Sequence, residues 1–312
     1  MATAQSAAAV ELEQYRRELI GYCYRMLGSA FEAEDAVQET MLRAWRSLEK
    51  FEGRAALKSW LYKIATNVCL DALAGRERRA RPMDLGPAGA PSVENLVDQR
   101  PEVTWITPLP TPDELAEQRE TLRLAFVAAL QHLPAKQRAA LILCEALHWQ
   151  ASEAAELLET SVASINSALQ RARATLATAD IAAPAELDAD ARALLERYVT
   201  AFEAYDLDRL AEILHSDAVM SMPPYALWLQ GRDDVFSFFY GPGIGCKDSK
   251  LVPVGLVNGM PAWGQYKPAA EGGYEPWAII VPEVSEGRIA ELTFFLDTAR
   301  LFPLFSLPDS VA

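Results

Sequence analysis

Seven of the chain's 19 prolines lie in one stretch, between Pro82 and Pro112. Each proline lacks a backbone donor and disfavours helical geometry in the residue before it. A helix cannot continue through such a stretch, so residues 82–112 are predicted to form an extended linker. The segments on its two sides are therefore expected to be separate domains.

Helical spacing of apolar residues marks both sides of this linker. Two helices are predicted before it, each with an apolar stripe along one face. The first stripe comprises Val37, Met41, Ala44, Trp45 and Leu48, and the second comprises Leu57, Leu61, Ile64, Val68 and Ala72. Helical spacing returns after the linker, so we predict helical domains over residues 11–81 and 113–180.

A third region follows a second break at Ala182, Ala183 and Pro184. It opens with helical patterns over residues 194–202 and 207–214. Apolar runs separated by glycine and proline then indicate strands. These runs are residues 218–222, 251–257, 277–281 and 289–296. We therefore expect an α+β domain over residues 190–302.

The composition excludes several classes of protein. Of 312 residues, 51% are hydrophobic, and no apolar run approaches the roughly 20 residues of a membrane helix. The first ten residues lack the charged start and apolar core of a signal peptide, so we expect a cytoplasmic protein without membrane contact. Four widely separated cysteines predict neither disulfides nor a metal site, and no cofactor is expected. Cys23, Cys69 and Cys144 are expected to be buried thiols.

The net charge of −14 argues at first against nucleic-acid binding, because affinity for phosphate depends mainly on lysine and arginine. The charge is unevenly distributed, however. Residues 1–83 carry a net +2 and residues 119–180 are neutral, whereas residues 84–118 carry −6 and residues 181–312 carry −10. Exposed charges are screened beyond about 10 Å, so the charge of each segment matters more than the total.

A basic segment with interleaved aromatic residues ends the first helical domain. Between Arg54 and Arg81, seven basic residues stand against two acidic ones, and Phe51, Trp60 and Tyr62 lie among or beside them. Cations that follow phosphates, with aromatic faces on which unpaired bases stack, suit single-stranded nucleic acid. The alternative is a solvated basic face over a buried Trp60, and the pattern alone favours neither.

A second pattern predicts a helix–turn–helix. A helix over residues 152–158, a tight turn at 159–161 and a helix from Val162 have the spacing of this motif. Its core would comprise Ala154, Leu157, Leu158, Val162, Ile165 and Leu169. The outward face of the second helix would carry Ser161, Ser164, Asn166, Ser167, Gln170, Arg171 and Arg173. Such side chains read base edges and phosphates in the major groove, although the isolated pattern favours an ordinary helical hairpin.

Together these blocks resemble the extracytoplasmic-function group of sigma-70-type RNA polymerase sigma factors. DAVQETMLRAW at residues 35–45 resembles the helix of region 2 that grips the polymerase clamp. FEGRAALKSWLYKIATNVCLDAL at residues 51–73 resembles the part of region 2 that melts and reads the minus-ten element. Residues 136–176 resemble region 4, which reads the minus-thirty-five element. The resemblance spans residues 11–176, with the blocks in the order of the family.

The resemblance implies which residues make contacts. The expected polymerase-binding residues are Asp35, Gln38, Glu39 and Arg43. Phe51, Arg54 and Lys58 fall in the loop that captures a flipped promoter base, and Trp60, Tyr62 and Asn67 match the helix beside it. An extruded base must be held by stacking and edge hydrogen bonds. The predicted DNA-binding set also includes Lys63, Arg78, Arg79 and the polar face of the second helix of the helix–turn–helix.

Region 4 departs from the family pattern at three positions. Glu159 stands where many members have a turn glycine, and Asn166 and Ala168 stand where many have basic residues. The segment TSVASINSALQRAR nevertheless resembles the variant of members that carry a C-terminal extension. The three departures count against the assignment of DNA contacts to this helix, whereas the resemblance to that variant counts for it.

The linker contains an apolar segment, WITPLP at residues 105–110. Docking of Trp105 and Ile106 on the protein's own surface is the favoured interpretation, because large apolar side chains are seldom left in solvent. The resemblance implies another use. The sigma connector between regions 2 and 4 threads the polymerase channel, where an acidic strand mimics nucleic acid.

The third region contains LLERYVTAFEAYDLDRLAEILHSDAVMSMPP at residues 194–224, LQGRDDVFSFF at residues 229–239 and later strands that end near Leu296. With these segments it resembles a SnoaL-like domain, which has the ketosteroid-isomerase-like cone fold. Such cones enclose an apolar pocket, so a small-molecule ligand is left open as a partner. The expected lining residues are Tyr225, Trp228, Trp263, Trp277 and Phe295. His215, Asp217 and Asp297 are acid–base candidates, although a turn cap for Asp217 and a helix end for His215 are favoured instead.

The expected fold is thus multidomain, with two all-α sigma domains and an α+β SnoaL-like cone domain. We predict a non-enzymatic sigma factor that binds core RNA polymerase and promoter DNA. Its acidic C-terminal domain would regulate it intramolecularly by competing with DNA. The alternative is a transcription module fused to a ligand-sensing or catalytic SnoaL-like domain, and fold resemblance does not decide between them.

Overall fold

The computed structural model describes residues 12–48, 51, 56–177 and 187–311. Contacts divide the chain into two units. The first joins the residues up to Arg79 with those from Pro112 to Ile181, and the second joins Ala80–Thr111 with the residues from Ala182 onward. Helices build the first unit, whereas helices and a sheet build the second, so the expected fold class is confirmed.

The described part of the first unit contains two helical blocks, one on each side of the linker. The helices are α1 (Arg16–Leu27), α2 (Ala30–Ser47), α3 (Leu57–Leu73), α4 (Leu124–Gln131), α5 (Ala135–Leu141), α6 (Ala151–Leu157) and α7 (Val162–Ala177). A 3-10 helical segment, Asp113–Leu122, leads into α4, and a π-helical turn, Ile142–Ala146, follows α5. We call residues 12–79 the first helical block and residues 112–177 the second.

Local sequence explains where the first helices begin and end. Gly28 ends α1 in the left-handed conformation, with a φ of 72°, and its N–H donates to the Tyr24 carbonyl at 2.7 Å. Glycine adopts this conformation without a steric cost. The next residue, Ser29, begins α2 because its side chain accepts a hydrogen bond from the Glu32 N–H. Two adjacent residues thus make the corner between α1 and α2.

Two buried arginines join the helical blocks. Arg25 on α1 donates to Thr121 Oγ1 at 2.7 Å and to Gln118 Oε1 at 2.9 Å. Arg138 on α5 donates to the Met26 carbonyl and to Gln131 Oε1. Burial lowers the pKa of each guanidinium to about 10. The blocks therefore share one core, which includes polar groups.

The second unit consists of the linker residues and the C-terminal domain. Its helices are α8 (Ala189–Glu203), α9 (Leu207–Ile213), α10 (Arg232–Tyr240) and α11 (Thr298–Leu304). Its strands are β1 (Leu214–Ser221), β2 (Trp228–Gln230), β3 (Lys250–Val257), β4 (Met260–Pro268), β5 (Tyr274–Ser285) and β6 (Arg288–Phe295). Asp188 begins α8, and its side chain accepts from the Ala191 N–H at 2.8 Å.

The strands form one six-stranded sheet in the order β2-β1-β6-β5-β4-β3. Only β1 and β6 pair in parallel, and the other neighbouring pairs are antiparallel. The four predicted strands correspond to β1, β3, β5 and β6. Strands β2 and β4 were not predicted. Proline and glycine interrupt the pattern of β4. Leu214 was expected to end a helix but begins β1 instead.

The residues of the linker are folded rather than extended. Trp105 and Ile106 are 3% and 2% exposed, so the docking interpretation of this segment is the one observed. Ala80 pairs with Trp105 in an isolated bridge, and the Trp105 indole N–H donates to the Arg100 carbonyl. Short 3-10 turns at Pro82–Asp84, Val93–Asn95 and Glu102–Thr104 further shorten the linker.

Backbone and side-chain hydrogen bonds hold the linker on the C-terminal domain at three attachment points. At the first point, the Gly89 N–H donates to the Trp228 carbonyl, and the Trp228 indole N–H donates to the Gly86 carbonyl, both at 2.9 Å. At the second, the Arg100 N–H donates to the Pro224 carbonyl, and the Ala226 N–H donates to the Asp98 carbonyl, both at 2.9 Å. Ion pairs of Arg81 with Glu291 and of Glu102 with Arg300 add to these contacts.

The third attachment point lies at the turn between β3 and β4. Asn258 and Gly259 have φ values of 51° and 78°, as this tight hairpin turn requires. The buried Asn258 side-chain oxygen accepts from the Leu109 N–H at 2.9 Å, and the Asn258 backbone N–H donates to the Leu109 carbonyl at 3.0 Å. The Thr111 N–H donates to the Leu256 carbonyl, and Thr111 Oγ1 accepts from the Gly259 N–H at 3.0 Å.

Candidate nucleic-acid interface

Helix α2 carries the four residues expected to contact the polymerase. Asp35 and Gln38 are exposed on its surface, and Arg43 is half-exposed. Arg43 bonds Glu39 at 2.6 Å on the same helix and lies 3.7 Å from Asp71 of α3. The four side chains are thus accessible to a partner, and their contacts with the polymerase stay a prediction.

Two apolar side chains that the sequence analysis missed extend this surface. Leu42 is 43% exposed and Trp45 is 53% exposed, although Trp45 was assigned to the buried stripe. That assignment was wrong because Trp45 lies eight residues after the buried Val37, about 80° around a helix of 3.6 residues per turn. Leu42 and Trp45 follow Gln38 at helical spacings of four and seven residues, so they share its face. Leu42 and Trp45 thus lie exposed on the face of α2 that carries the expected polymerase contacts.

The aromatic residues expected to hold a promoter base fall into two groups. Phe51 and Trp60 are half-buried, and their ring centroids lie 4.9 Å apart at an angle of 34°. Arg54, from the same predicted loop, lies outside the described residues. Asn67 is exposed on α3. Phe51, Trp60 and Asn67 therefore remain accessible for stacking or for an edge hydrogen bond.

Tyr62 was expected on the outer face of α3, but it is completely buried. Its ring packs 5.2 Å from that of Tyr22 and 5.1 Å from that of Trp149 in the second helical block. Its hydroxyl donates to Glu18, and burial raises the pKa of that hydroxyl. The expectation failed because packing by the second block covers a face that spacing alone leaves open. In this conformation the ring cannot stack on a base.

The two lysines of α3 that were assigned to DNA form ion pairs with carboxylates. Lys58 Nζ lies 2.6 Å from Glu18 Oε2, and Lys63 Nζ lies 2.7 Å from Glu159 Oε1. The second pair joins α3 to the turn of the helix–turn–helix, and Lys63 lowers the pKa of the Glu159 carboxyl. Both lysines remain partly exposed. Separation of the helical blocks would break the Lys63–Glu159 pair, whereas Lys58 and Glu18 both belong to the first block and a phosphate would have to displace Glu18 there.

The two arginines after α3 differ in exposure. Arg78 is exposed and its guanidinium contacts the ring of His132. Arg79 is only 5% exposed and lies 3.1 Å from Glu32, which also bonds Arg76. Arg79 is therefore part of the packed first unit here, and Arg78 is the more accessible of the two for a phosphate.

The helix–turn–helix is formed by α6 and α7. All seven side chains expected to read DNA are exposed, and Ser161 Oγ begins α7 by accepting from the Ser164 N–H. Glu159 adopts a φ of 51°, the geometry that a turn glycine supplies elsewhere, so the turn keeps its shape despite the substitution. The predicted core was wrong at Val162, which is 43% exposed as the first residue of α7. Ala168 and Ala172 are buried in its place.

A cavity of about 390 Å³ lies in the second unit. Of the five residues expected to line a pocket there, Tyr225 and Trp277 line it. The other three do not line this cavity: Trp228 contacts the linker, Trp263 packs 6.0 Å from the Tyr198 ring, and Phe295 is buried in β6.

The three acid–base candidates of the C-terminal domain do not line this cavity. His215 and Asp217 both lie in β1, so the expectation that His215 ends a helix was wrong. The Asp217 N–H donates to His215 Nδ1, and Asp217 itself is exposed. Asp297 precedes α11 and lies 4.0 Å from Arg300.

Two family models match the helical blocks. Residues 12–79 match sigma-70 region 2, and residues 123–176 match sigma-70 region 4. The ECF RNA polymerase sigma factor SigG of Mycobacterium tuberculosis is 45% identical over 317 aligned residues, which cover 96% of this chain and 83% of SigG. The similarity therefore extends beyond the two regions into the linker and the C-terminal domain.

The chain is an extracytoplasmic-function RNA polymerase sigma factor. A second relative, SigJ of the same organism, is 28% identical over 305 aligned residues, which cover 90% of this chain and 89% of SigJ. The crystal structure of SigJ matches with a TM-score of 0.62 and 24% identity, covering 92% of this chain and 95% of that chain. The sigma factor and SigJ thus share their fold.

This sigma factor binds core RNA polymerase and promoter DNA and directs the initiation of transcription. Region 2 comprises the first helical block, and region 4 begins at residue 123, directly after the 3-10 segment, and ends within α7. Within the described part of the sigma factor, no helix is long and apolar enough to cross a membrane. Cys23 and Cys69 of region 2 are buried as expected, whereas Cys144 is only half-buried.

Replacing Lys58 and Lys63 together with alanine is expected to make promoter binding by the holoenzyme less dependent on salt. Each neutralised phosphate contributes about 0.7 to 0.9 to the slope of log K against log salt concentration, so the slope should fall by about 1.5. Fluorescence anisotropy of a labelled promoter fragment at several salt concentrations measures this slope. The matched control is Lys247→Ala, an exposed lysine of the C-terminal domain. An unchanged slope in the double variant would contradict the assignment of these lysines to phosphates.

Proposed function

We propose that the free sigma factor is closed and that its C-terminal domain maintains the closed state by retaining the linker. The observation that carries this proposal is the attachment of residues 80–111 to the C-terminal domain at three points. The linker joins regions 2 and 4 along the chain. A domain that restrains it can therefore regulate both regions, without the direct competition with DNA expected from charge alone.

Contacts between regions 2 and 4 support the closed state. The Lys63–Glu159 pair and the packing of Tyr62 on Trp149 occupy side chains at or beside the predicted DNA-binding surfaces. The two promoter elements lie about 25 base pairs apart, on the order of 85 Å along the duplex. Regions in direct contact cannot read both elements at once, so initiation requires them to separate.

Separation of the regions requires release of the linker. A chain of about 30 residues spans on the order of 100 Å only when it is fully extended. The attached linker is instead shortened by three 3-10 turns and by its pairing of Ala80 with Trp105. Binding to the core polymerase would supply the free energy that breaks the three attachments. The C-terminal domain then sets how much of that free energy is needed.

The C-terminal domain acts in this proposal without catalysis. The acid–base candidates of the sequence, His215, Asp217 and Asp297, are not among the described residues that line the cavity. The titratable side chains that do line it include Lys267, whose ammonium group is paired with Glu275 and serves in this proposal to bind a ligand. The exposed position of Asp217 favours a structural role on the surface of the sheet.

Replacing Thr111 with valine tests the retention of the linker. Valine has nearly the same shape but lacks the hydroxyl that accepts from the Gly259 N–H, so a buried donor is left unsatisfied in the attached state. Such a loss costs about 1 to 3 kcal/mol. We expect run-off transcription at limiting sigma factor to rise about fivefold to tenfold.

The matched control is Thr111→Ser, which keeps the hydroxyl and should leave transcription unchanged. Equal activity of the valine variant, the serine variant and the wild type would count against linker retention. The membership of the chain in the sigma family would be unaffected by that result.

A further inference from the structure

The cavity of the C-terminal domain has walls suited to an apolar molecule. Phe238, Phe239 and Phe294 line it, and their rings pack edge to face, with the Phe239 centroid 6.2 Å and 6.5 Å from the other two. Met220 and Met222 line it as well, and methionine adapts its shape to an irregular occupant. Cavities that hold drug-sized molecules begin at about 300 Å³, so this one is large enough.

One charged group in the cavity wall would orient an occupant. Lys267 is the one charged side chain among the described residues that line it. Its Nζ lies 4.0 Å from the centroid of the Trp277 ring and 3.2 Å from Glu275 Oε1, so the ammonium group is held in place by a ring face and a carboxylate. An ammonium group is a donor only, and an occupant would therefore present an acceptor or an anion to it.

The linker supplies part of the cavity wall. Leu96 is half-buried and lines the cavity, and it lies between the first and second attachment points of the linker. The neighbouring Val97 is 77% exposed and is not among the lining residues. An occupant of the cavity would thus contact the C-terminal domain and the linker at the same time.

We infer that this cavity is a regulatory ligand site for a mainly apolar organic molecule that carries one anionic or carbonyl group, and that the bound ligand strengthens the attachment of the linker. The apolar part lies among the phenylalanine and methionine side chains, and the polar group meets Lys267. The effect on transcription rests on the proposed function. The ligand site itself does not.

Linkage sets the size of the effect. A ligand that binds only the attached state multiplies the equilibrium constant for attachment by about the ratio of the free ligand concentration to the dissociation constant, once that ratio is large. At a ligand concentration about 100 times the dissociation constant, release of the linker becomes about 100-fold less favourable. A ligand that makes no contact with Leu96 would bind the attached and the released states equally well and would not shift the equilibrium between them.

The full-length sigma factor can be tested with 1-anilinonaphthalene-8-sulfonate, whose aromatic rings and single sulfonate match the site. We expect saturable fluorescence enhancement with one site per chain. Leu96→Ala should weaken binding about tenfold, because it removes wall contacts. Val97→Ala, the matched control, should leave binding unchanged. Lys267→Met keeps the apolar stem and should weaken binding about fivefold, through loss of the cation alone.

Hydrogen exchange measures the coupling to the linker. The probe should slow exchange of the amides of residues 93–100 in the wild type and in Val97→Ala, but not in Leu96→Ala. Circular dichroism of each variant shows whether it remains folded. Because Leu96 and Lys267 are partly exposed, these substitutions leave the core of the domain intact.

Two outcomes would overturn the inference. One is fluorescence that rises without saturation or that is the same for Leu96→Ala, Lys267→Met and the wild type. The other is saturable binding with no change in exchange of the linker, which would leave a pocket without the regulatory role. Neither outcome depends on transcription. A failure of the Thr111→Val experiment, by contrast, would remove the proposed function and leave the binding results standing.

Discussion

Deletion of residues 182–312 is expected to raise transcription from a cognate promoter roughly 100-fold when the sigma factor is limiting. The deletion removes the partners of all three attachment points of the linker. If each point contributes about 1 kcal/mol, release becomes about 3 kcal/mol easier, which corresponds to roughly two factors of ten. Run-off transcription with purified core polymerase measures the change.

Thr111→Val is a milder change than this deletion, because it weakens only the third attachment point. The two effects should have the same sign, with the deletion larger. Circular dichroism of the truncated chain checks that regions 2 and 4 keep their helices. Unchanged transcription would refute regulation by the C-terminal domain, and a fall would show that the domain assists initiation instead.

The second large effect is on stability. Arg138→Ala is expected to lower the free energy of unfolding of the first unit by about 3 kcal/mol. The guanidinium donates to the carbonyls of Met26, Gln131 and Leu133 and to Gln131 Oε1, and its removal leaves these buried acceptors without it. Each unsatisfied group costs about 1 to 3 kcal/mol. Part of that loss is regained, because the desolvation that lowers the pKa of Arg138 to about 10 no longer opposes folding.

Urea denaturation followed by circular dichroism measures this difference in the full chain. The control is Lys136→Ala, two residues away on the same helix, where the side chain is exposed and the expected change is small. Equal denaturation midpoints for Arg138→Ala and the wild type would mean that water replaces the arginine at no cost. The buried arginine would then not hold regions 2 and 4 together.

Much of the fold follows from local sequence. The period of apolar residues locates α6 and α7 to within a residue, and proline spacing marks the linker. The four strands predicted in the C-terminal domain are present, because their apolar runs are bounded by glycine and proline. The strand β4 was missed, since its residues Pro261 and Gly264 mimic a break, and pairing with β3 and β5 overrides that signal.

The candidate site was less predictable from sequence. Spacing places Tyr62 off the apolar stripe of α3, yet the ring is buried because Trp149 packs on it from far along the chain. Trp45 shows the opposite error. It lies eight residues after Val37, which places it about 80° around the helix and on the exposed face of α2. Trp228 was expected to line a pocket, but its indole N–H donates to the Gly86 carbonyl of the linker.

The family, the order of regions 2 and 4 and the uneven distribution of charge can be read from the amino-acid sequence, because they depend on motifs and on local spacing. The course of the linker, the covered faces of the helices and the place of Leu96 in the cavity wall are visible only in the folded chain. These features depend on contacts between residues that are far apart along the chain. Leu109 and Asn258 share two hydrogen bonds across 149 residues, and no local pattern encodes such a pair.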